Sequence, residues 1–406
     1  MKFRWFAIFL VLILVAISIS CSTNNSNSLA TSGNGFLWLA AQGNTTVQAY
    51  TINLSSGSLS LNGNAVPTGN APSSMLITPK ADAVFIVNSG NSAPSSPGGI
   101  SAYTVNSDGT LKVAGTITPA GPTPIGMATD SAGKFLFVAN QGSFDLTQPG
   151  AQPGSISVFS ISGTSLSAVA GSPFSTETAG ATIGTGPVSV AVSTSGNYLY
   201  VANQFANTVA SFQISSSGAL TPLNTYSVGN SPSAVYLSVA QGTVPAGLFL
   251  YVANTGSNNV SAFSVCDAPN AFGCSTPNGV LAQVTGSPFP AQLGPVAIAM
   301  DPTAPFLYVA DRQSNQISQY SWSSGTGALT PLSVPIISAA GQPVSLAIRA
   351  GTVVTSTTTV GIDYLYVANF NGSSISIYSL NTTNGGLNVL GGPVTTFSQP
   401  SAITVR

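Results

Sequence analysis

Apolar residues in this chain fall in short runs separated by clusters of Gly, Pro, Asn and Ser. The plainest run is YLYVANQ at Tyr198–Gln204. Close copies begin at Phe135 (FLFVANQ), Phe249 (FLYVANT), Phe306 (FLYVADR) and Tyr364 (YLYVANF). Weaker copies begin at Phe36 (FLWLAAQ) and Val84 (VFIVNSG). The residues closing the seven hydrophobic stretches are Ala41, Asn88, Asn140, Asn203, Asn254, Asp311 and Asn369, which sets a repeat of about 55 residues. Every copy after the first follows a Pro-led apolar segment such as Pro187–Val192. Each precedes a segment with a central aromatic, at Tyr50, Tyr103, Phe159, Phe212, Phe263, Tyr320 and Tyr378, and then a Gly-x-Leu segment such as GALTPL from Gly218. These segments are rich in β-branched and aromatic residues, are bounded by turn formers and show no helical period. Each repeat therefore predicts four strands.

Four strands per repeat and seven repeats predict an all-β fold: a seven-bladed β-propeller with four antiparallel strands per blade. The first repeat opens on its second strand, and the chain finishes on a first-type strand, Pro400–Val405. The C-terminal strand is therefore expected to join the first blade and close the ring, removing an exposed sheet edge. An open β-solenoid is the alternative. The YVAN repeats resemble the YVTN-repeat propellers, a group that includes bacterial surface-layer propellers and the lactonase-like family, with relatives of 6-phosphogluconolactonase and muconate cycloisomerase. The resemblance spans residues 36–406. It implies the propeller fold, and it implies lactone hydrolysis only as one activity found on that fold.

Residues 1–20 predict a signal peptide: Lys2 and Arg4, an apolar stretch, then small residues before Cys21. The Phe6–Ser20 stretch has 15 residues, short of the roughly 20 that a spanning helix needs. The segment resembles a bacterial lipoprotein signal, which implies lipidation at Cys21. Ser18 stands where Leu is usual, and Ser22, not being Asp, implies outer-membrane sorting. The expectation is an exported, lipid-anchored protein, at the outer membrane or cell surface, with the membrane as a partner through the lipid. Residues 21–35, almost without apolar content, predict a flexible tether to a propeller domain at 36–406. In an oxidising compartment, Cys266 and Cys274 predict a disulfide.

Charge changes the functional picture more than the fold. Charged residues are 4% of the chain, with 8 Lys+Arg, 9 Asp+Glu and no His. That excludes His-based acid–base and nucleophile systems and His metal ligation. Eight basic residues are too few for a phosphate-tracking surface, so no nucleic-acid partner is expected. No dinucleotide fingerprint, phosphate loop or calcium loop is present, so neither a cofactor nor a metal is expected.

The few charges suggest two places for a site. Six residues after each first-strand Pro lie Thr78, Asp130, Ser193, Ser238, Asp301, Arg349 and Arg406, read either as a polar collar or as turn chemistry. On the opposite face, long loops carry Asp145 and Glu177, and Asp311–Arg312 begins a connection in the sixth repeat. Gln141 and Gln204 match Arg312 in the repeat. Glu177 or Asp145 as base and Arg312 as electrophile would suit lactone opening, with Gln141, Gln204 and Asp311 binding ligand. The same residues also read as solvated loop charges. The composition favours a surface binding or scaffold module for protein, glycan or a small molecule. The alternative is a lactonase-like hydrolase, a carboxylic ester hydrolase acting on an extracytoplasmic lactone without a phosphate.

Overall fold

The computed structural model describes residues 35–90, 98–177, 180–238, 248–268, 274–354 and 359–406, with backbone only at 352–354 and 359–360. The expected signal peptide and Cys21 lie outside these residues, as does the tether up to Gly35. The described residues form strands and turns without a helix.

Seven antiparallel sheets ring a central axis. Their innermost strands are Pro400–Val405, Pro72–Ile77, Pro124–Thr129, Pro187–Val192, Pro232–Leu237, Pro295–Met300 and Pro343–Val354, taken as blades 1 to 7. The second strands are Gly35–Ala41, Ala83–Asn88, Phe135–Asn140, Tyr198–Asn203, Leu248–Asn254, Phe306–Asp311 and Thr359–Asn369. Blade 1 combines both ends of the propeller, in the order Pro400–Val405, Gly35–Ala41, Thr46–Ile52, Leu59–Pro67. The Phe36 and Arg406 backbones exchange hydrogen bonds of 2.9 and 2.8 Å where the ends meet. The ring is closed, which removes the solenoid alternative.

The core is not one body. It divides into seven apolar clusters, one at each junction between neighbouring blades. The YVAN run explains this division. In blade 4, Leu199 and Val201 enter the cluster shared with blade 3, whereas Tyr198, Tyr200 and Ala202 enter the one shared with blade 5. Side chains alternate across a strand, so a strand buried on both faces must be apolar at every position. That accounts for the high apolar content and for the scarcity of charge in the blades.

The run's aromatic residues also clasp the next blade. Tyr200, Tyr251, Tyr308 and Tyr366 donate their hydroxyls to the carbonyls of Gly279, Gly327, Gly385 and Gly57, at 2.8–3.1 Å. Trp38 Nε1 does the same to Gly109 at 2.9 Å. Each acceptor is a positive-φ glycine in the turn between the two outer strands of the following blade. A disulfide joins Cys266 and Cys274, with Cα atoms 5.3 Å apart. The adjoining Asp267 accepts hydrogen bonds from Thr194 Oγ1 at 2.9 Å and the Ser195 N–H at 3.0 Å, across the junction of blades 4 and 5.

Candidate functional site

The central channel contains a cavity of about 610 Å³, lined by the inner strands and by one ring of side chains at its mouth. One backbone device, repeated seven times, builds that ring. The residues following the second strands are Gln42, Ser89, Gln141, Gln204, Thr255, Arg312 and Phe370. Their N–H groups donate to the carbonyls of Gln399, Ala71, Thr123, Gly186, Ser231, Gly294 and Gln342, at 2.7–3.1 Å. Each acceptor immediately precedes an inner-strand proline, and each has φ between 49° and 71°. Only two of the seven are glycine, so five L-residues hold a left-handed conformation that is sparsely populated. The following proline disfavours the right-handed helical region at that position. The repeated turn aims its seven side chains around one opening, and all but Ser89 line the cavity.

Arg312 is the charged side chain of the lining, and no carboxylate joins it there among the described residues. Its Cζ lies 5.3 Å from the centroid of the Phe370 ring, and its Nη2 donates to Gln342 Oε1 at 3.4 Å. A guanidinium carries five N–H donors, so most of its capacity is directed elsewhere than Gln342. Gln141 Nε2 donates to Gln204 Oε1 at 2.7 Å, which fixes both amides at the rim. The Gln42 amide donates to the Pro72 carbonyl at 3.0 Å, and Thr255 Oγ1 to the Pro295 carbonyl at 2.7 Å. The mouth is thus one cation on an aromatic face, flanked by amides and a hydroxyl.

The structure brings together Gln141, Gln204 and Arg312 from the sequence-derived set, and leaves the other three off the cavity lining. Glu177 turns back into its own loop. Its carboxylate accepts from the Gly154 N–H at 3.0 Å, the Thr185 N–H at 2.8 and 2.9 Å, and Thr185 Oγ1 at 2.9 Å. Asp145 accepts from the Thr147 N–H, Thr147 Oγ1 and Gln148 Nε2, at 2.9, 2.6 and 2.7 Å. Those bonds, the Thr147 hydroxyl foremost, hold its carboxyl below the usual range. Asp311 is buried at the end of its strand, where Ser318 Oγ donates to it at 2.7 Å. Burial pushes its carboxyl up to about 7.

The supposed collar on the opposite face resolves as turn chemistry. Asp130 accepts from the Lys134 and Phe135 N–H groups at 2.7 and 2.8 Å. Ser193, Ser238 and Thr78 accept in the same way from Tyr198, Phe249 and Ala83. Asp301 accepts from the Thr303 and Ala304 N–H groups at 2.8 and 3.0 Å. Arg349 is buried, and Arg406 Nη1 donates to the Ala81 carbonyl at 3.3 Å. Gln42, Thr255 and Phe370 were not picked out from the sequence, although they occupy the repeat position of Gln141, Gln204 and Arg312.

Comparison with known proteins places the sequence in a family. The sequence matches the family described as lactonase, 7-bladed beta-propeller, over residues 36–181 and 176–348, more than half of the chain. The chain belongs to that family. The lactonase-family fold here is similar to a candidate 6-phosphogluconolactonase from Bacteroides fragilis, with a TM-score of 0.71 and 18% identity over 94% of this chain and 100% of that one. It is also similar to the periplasmic gluconolactonase of Pseudomonas aeruginosa, with a TM-score of 0.69 and 19% identity over 92% of this chain and 99% of that one. At such identities these likenesses speak for the fold. No curated protein matches the sequence. Within this lactonase-family propeller, no group of three His, Cys, Asp or Glu is placed to hold a metal among the described residues. The chemistry available on the described lining is therefore oxyanion or carboxylate binding by Arg312 and its polar neighbours.

Proposed function

We propose that this lactonase-family propeller opens a lactone without a phosphate in its central cavity. Water adds to the lactone carbonyl, and the carbonyl π electrons move to oxygen. Arg312 holds the resulting oxyanion. As the carbonyl re-forms, the bond from the acyl carbon to the ring oxygen breaks. The ring oxygen takes a proton, and the product is a hydroxy acid with its carboxylate at Arg312. The observation carrying this reading is Arg312 at the mouth, the charged side chain of an otherwise uncharged lining. A phosphate and an oxyanion together call for clustered cations, so one arginine favours the simpler substrate. With no lining carboxylate among the described residues, the attacking water passes its proton to solvent at the open mouth. The test is acid release by the purified protein on a panel of lactones. Turnover lost in Arg312→Ala supports the reading, and no release above background across the panel refutes it.

A second reading, a cell-surface binding or scaffold module, draws on that same lack of a lining base, and it is the reading that a silent panel would leave. In either case we place the protein outside the cytoplasm on a lipid at Cys21. The basic start, the apolar stretch and the small residues before Cys21 support that placement, and the Cys266–Cys274 disulfide accords with export. Incorporation of labelled fatty acid that disappears in Cys21→Ala is the expected result.

A further inference from the structure

The cavity wall below the rim has a different character from the rim itself. Ile125, Val188, Val296 and Val344 occupy the second positions of four inner strands and line it, with Leu346 and Tyr236 further along. The wall also carries serines, of which four join blades, while Ser401 Oγ donates to the Ala40 carbonyl of its own blade at 3.3 Å. Ser73 Oγ donates to the Ile125 carbonyl at 2.8 Å, and Ser233 Oγ to the Pro295 carbonyl at 3.0 Å. Ser189 Oγ and Ser345 Oγ accept from the Val235 and Ile403 N–H groups, both at 3.2 Å. At the rim, Gln141 and Gln204 bond to each other.

From this arrangement we infer that the ligand is an amphipathic monoanion or its lactone, with a hydrocarbon body of medium length and one oxygen-rich end at Arg312. The inference rests on the proposed role of Arg312 and adds the substrate class. A sugar lactone carries several hydroxyls that must leave water. Each one left without a partner costs about 1–3 kcal/mol, and the Ser73 and Ser233 hydroxyl protons are already given to carbonyls of the neighbouring blades. A hydrocarbon chain asks for no hydrogen-bond partner beside Ile125, Val188, Val296 and Val344, and it gains from leaving water. Inner strands of six residues span roughly 20 Å, enough depth for such a chain. On the same face, Phe144 is 56% exposed and packs edge-to-face with Phe205, ring centroids 5.3 Å apart, which adds apolar surface near Gln204.

The experiment pairs kinetics with binding. A series of γ-lactones with alkyl substituents of increasing length is compared with gluconolactone, and decanoate, which cannot be hydrolysed, is titrated calorimetrically. The expected result is a rise in kcat/KM of about threefold per methylene, with gluconolactone below the longer members. Decanoate binding should vanish in Arg312→Ala and weaken about fivefold in the nearly isosteric Val296→Thr. If no lactone opens but decanoate binds through Arg312, the ligand class stands and the hydrolase reading falls. Preference for gluconolactone, no gain with chain length, or no decanoate binding overturns the inference.

Discussion

Tyr366 donates its hydroxyl to the carbonyl of Gly57 at 2.9 Å, although 309 residues separate the two. This bond joins blade 7 to blade 1 beyond the strand pairing that closes the ring. Burial pushes the Tyr366 phenol well above its ordinary range, so the hydroxyl remains a donor at any working pH. Tyr366→Phe should lower stability by about 1–2 kcal/mol, since a buried carbonyl loses its partner. Gly57→Ala should cost more, because φ is +71° and an added Cβ would meet the Tyr364 ring. Urea unfolding midpoints of the two variants check this order.

Asp311 stands where five other blades have Asn88, Asn140, Asn203, Asn254 and Asn369. In four of those blades the Asn Nδ2 donates to a Ser Oγ on the third strand, as Asn140 does to Ser157 at 2.9 Å. Asp311→Asn restores that pattern at Ser318. The folded-state pKa of about 7 lies above the usual carboxylate value. The protonated group's contribution is therefore fully present below about pH 4 and is lost as pH rises through about 7. Asp301, beside Asp363, is also pushed up to about 7, chiefly by burial, so the informative quantity is the difference between variant and parent. Asp311→Asn should be more stable by about 1–3 kcal/mol at pH 8 and close to the parent at pH 4. An equal effect at both pH values would contradict this.

The carboxylate of Glu177 ties the Gly154 and Thr185 backbones together. Glu177→Gln should loosen that loop, lowering stability by about 1–2 kcal/mol and speeding proteolysis near residue 177. Turnover should change by less than about threefold. A hundredfold fall in kcat with the fold intact would return the base role to Glu177.

Without a carboxylate on the described lining, lactone opening should depend on hydroxide. The expected pH profile of kcat/KM climbs steadily from pH 6 to 9. A plateau beginning near pH 5 would reveal a carboxylate base.

The fold was legible in the sequence because every blade repeats one solution. An apolar run at all positions means a strand buried on both faces, and the Tyr198 and Leu199 faces separate into different junctions as alternation requires. Gly57, Gly218, Gly279, Gly327 and Gly385 recur because aromatic rings from the preceding blade lie against them. The site was legible only in part. Arg312, Gln141 and Gln204 were found because they share a repeat position. Gln42, Thr255 and Phe370 share it too, but charge drew attention to Glu177, Asp145 and Asp311. Scarcity of charge is a poor guide here. A carboxylate in a long loop can be taken up by that loop's own N–H groups, and this follows from backbone geometry that residue types do not reveal.

The most direct test of the account is the effect of Arg312→Ala on hydrolysis of a medium-chain alkyl γ-lactone, with circular dichroism to confirm the fold. Loss of an oxyanion-holding group predicts a fall in kcat of about 10²–10³-fold. Turnover within about twofold of the parent would contradict the placement of the site at the Arg312 mouth.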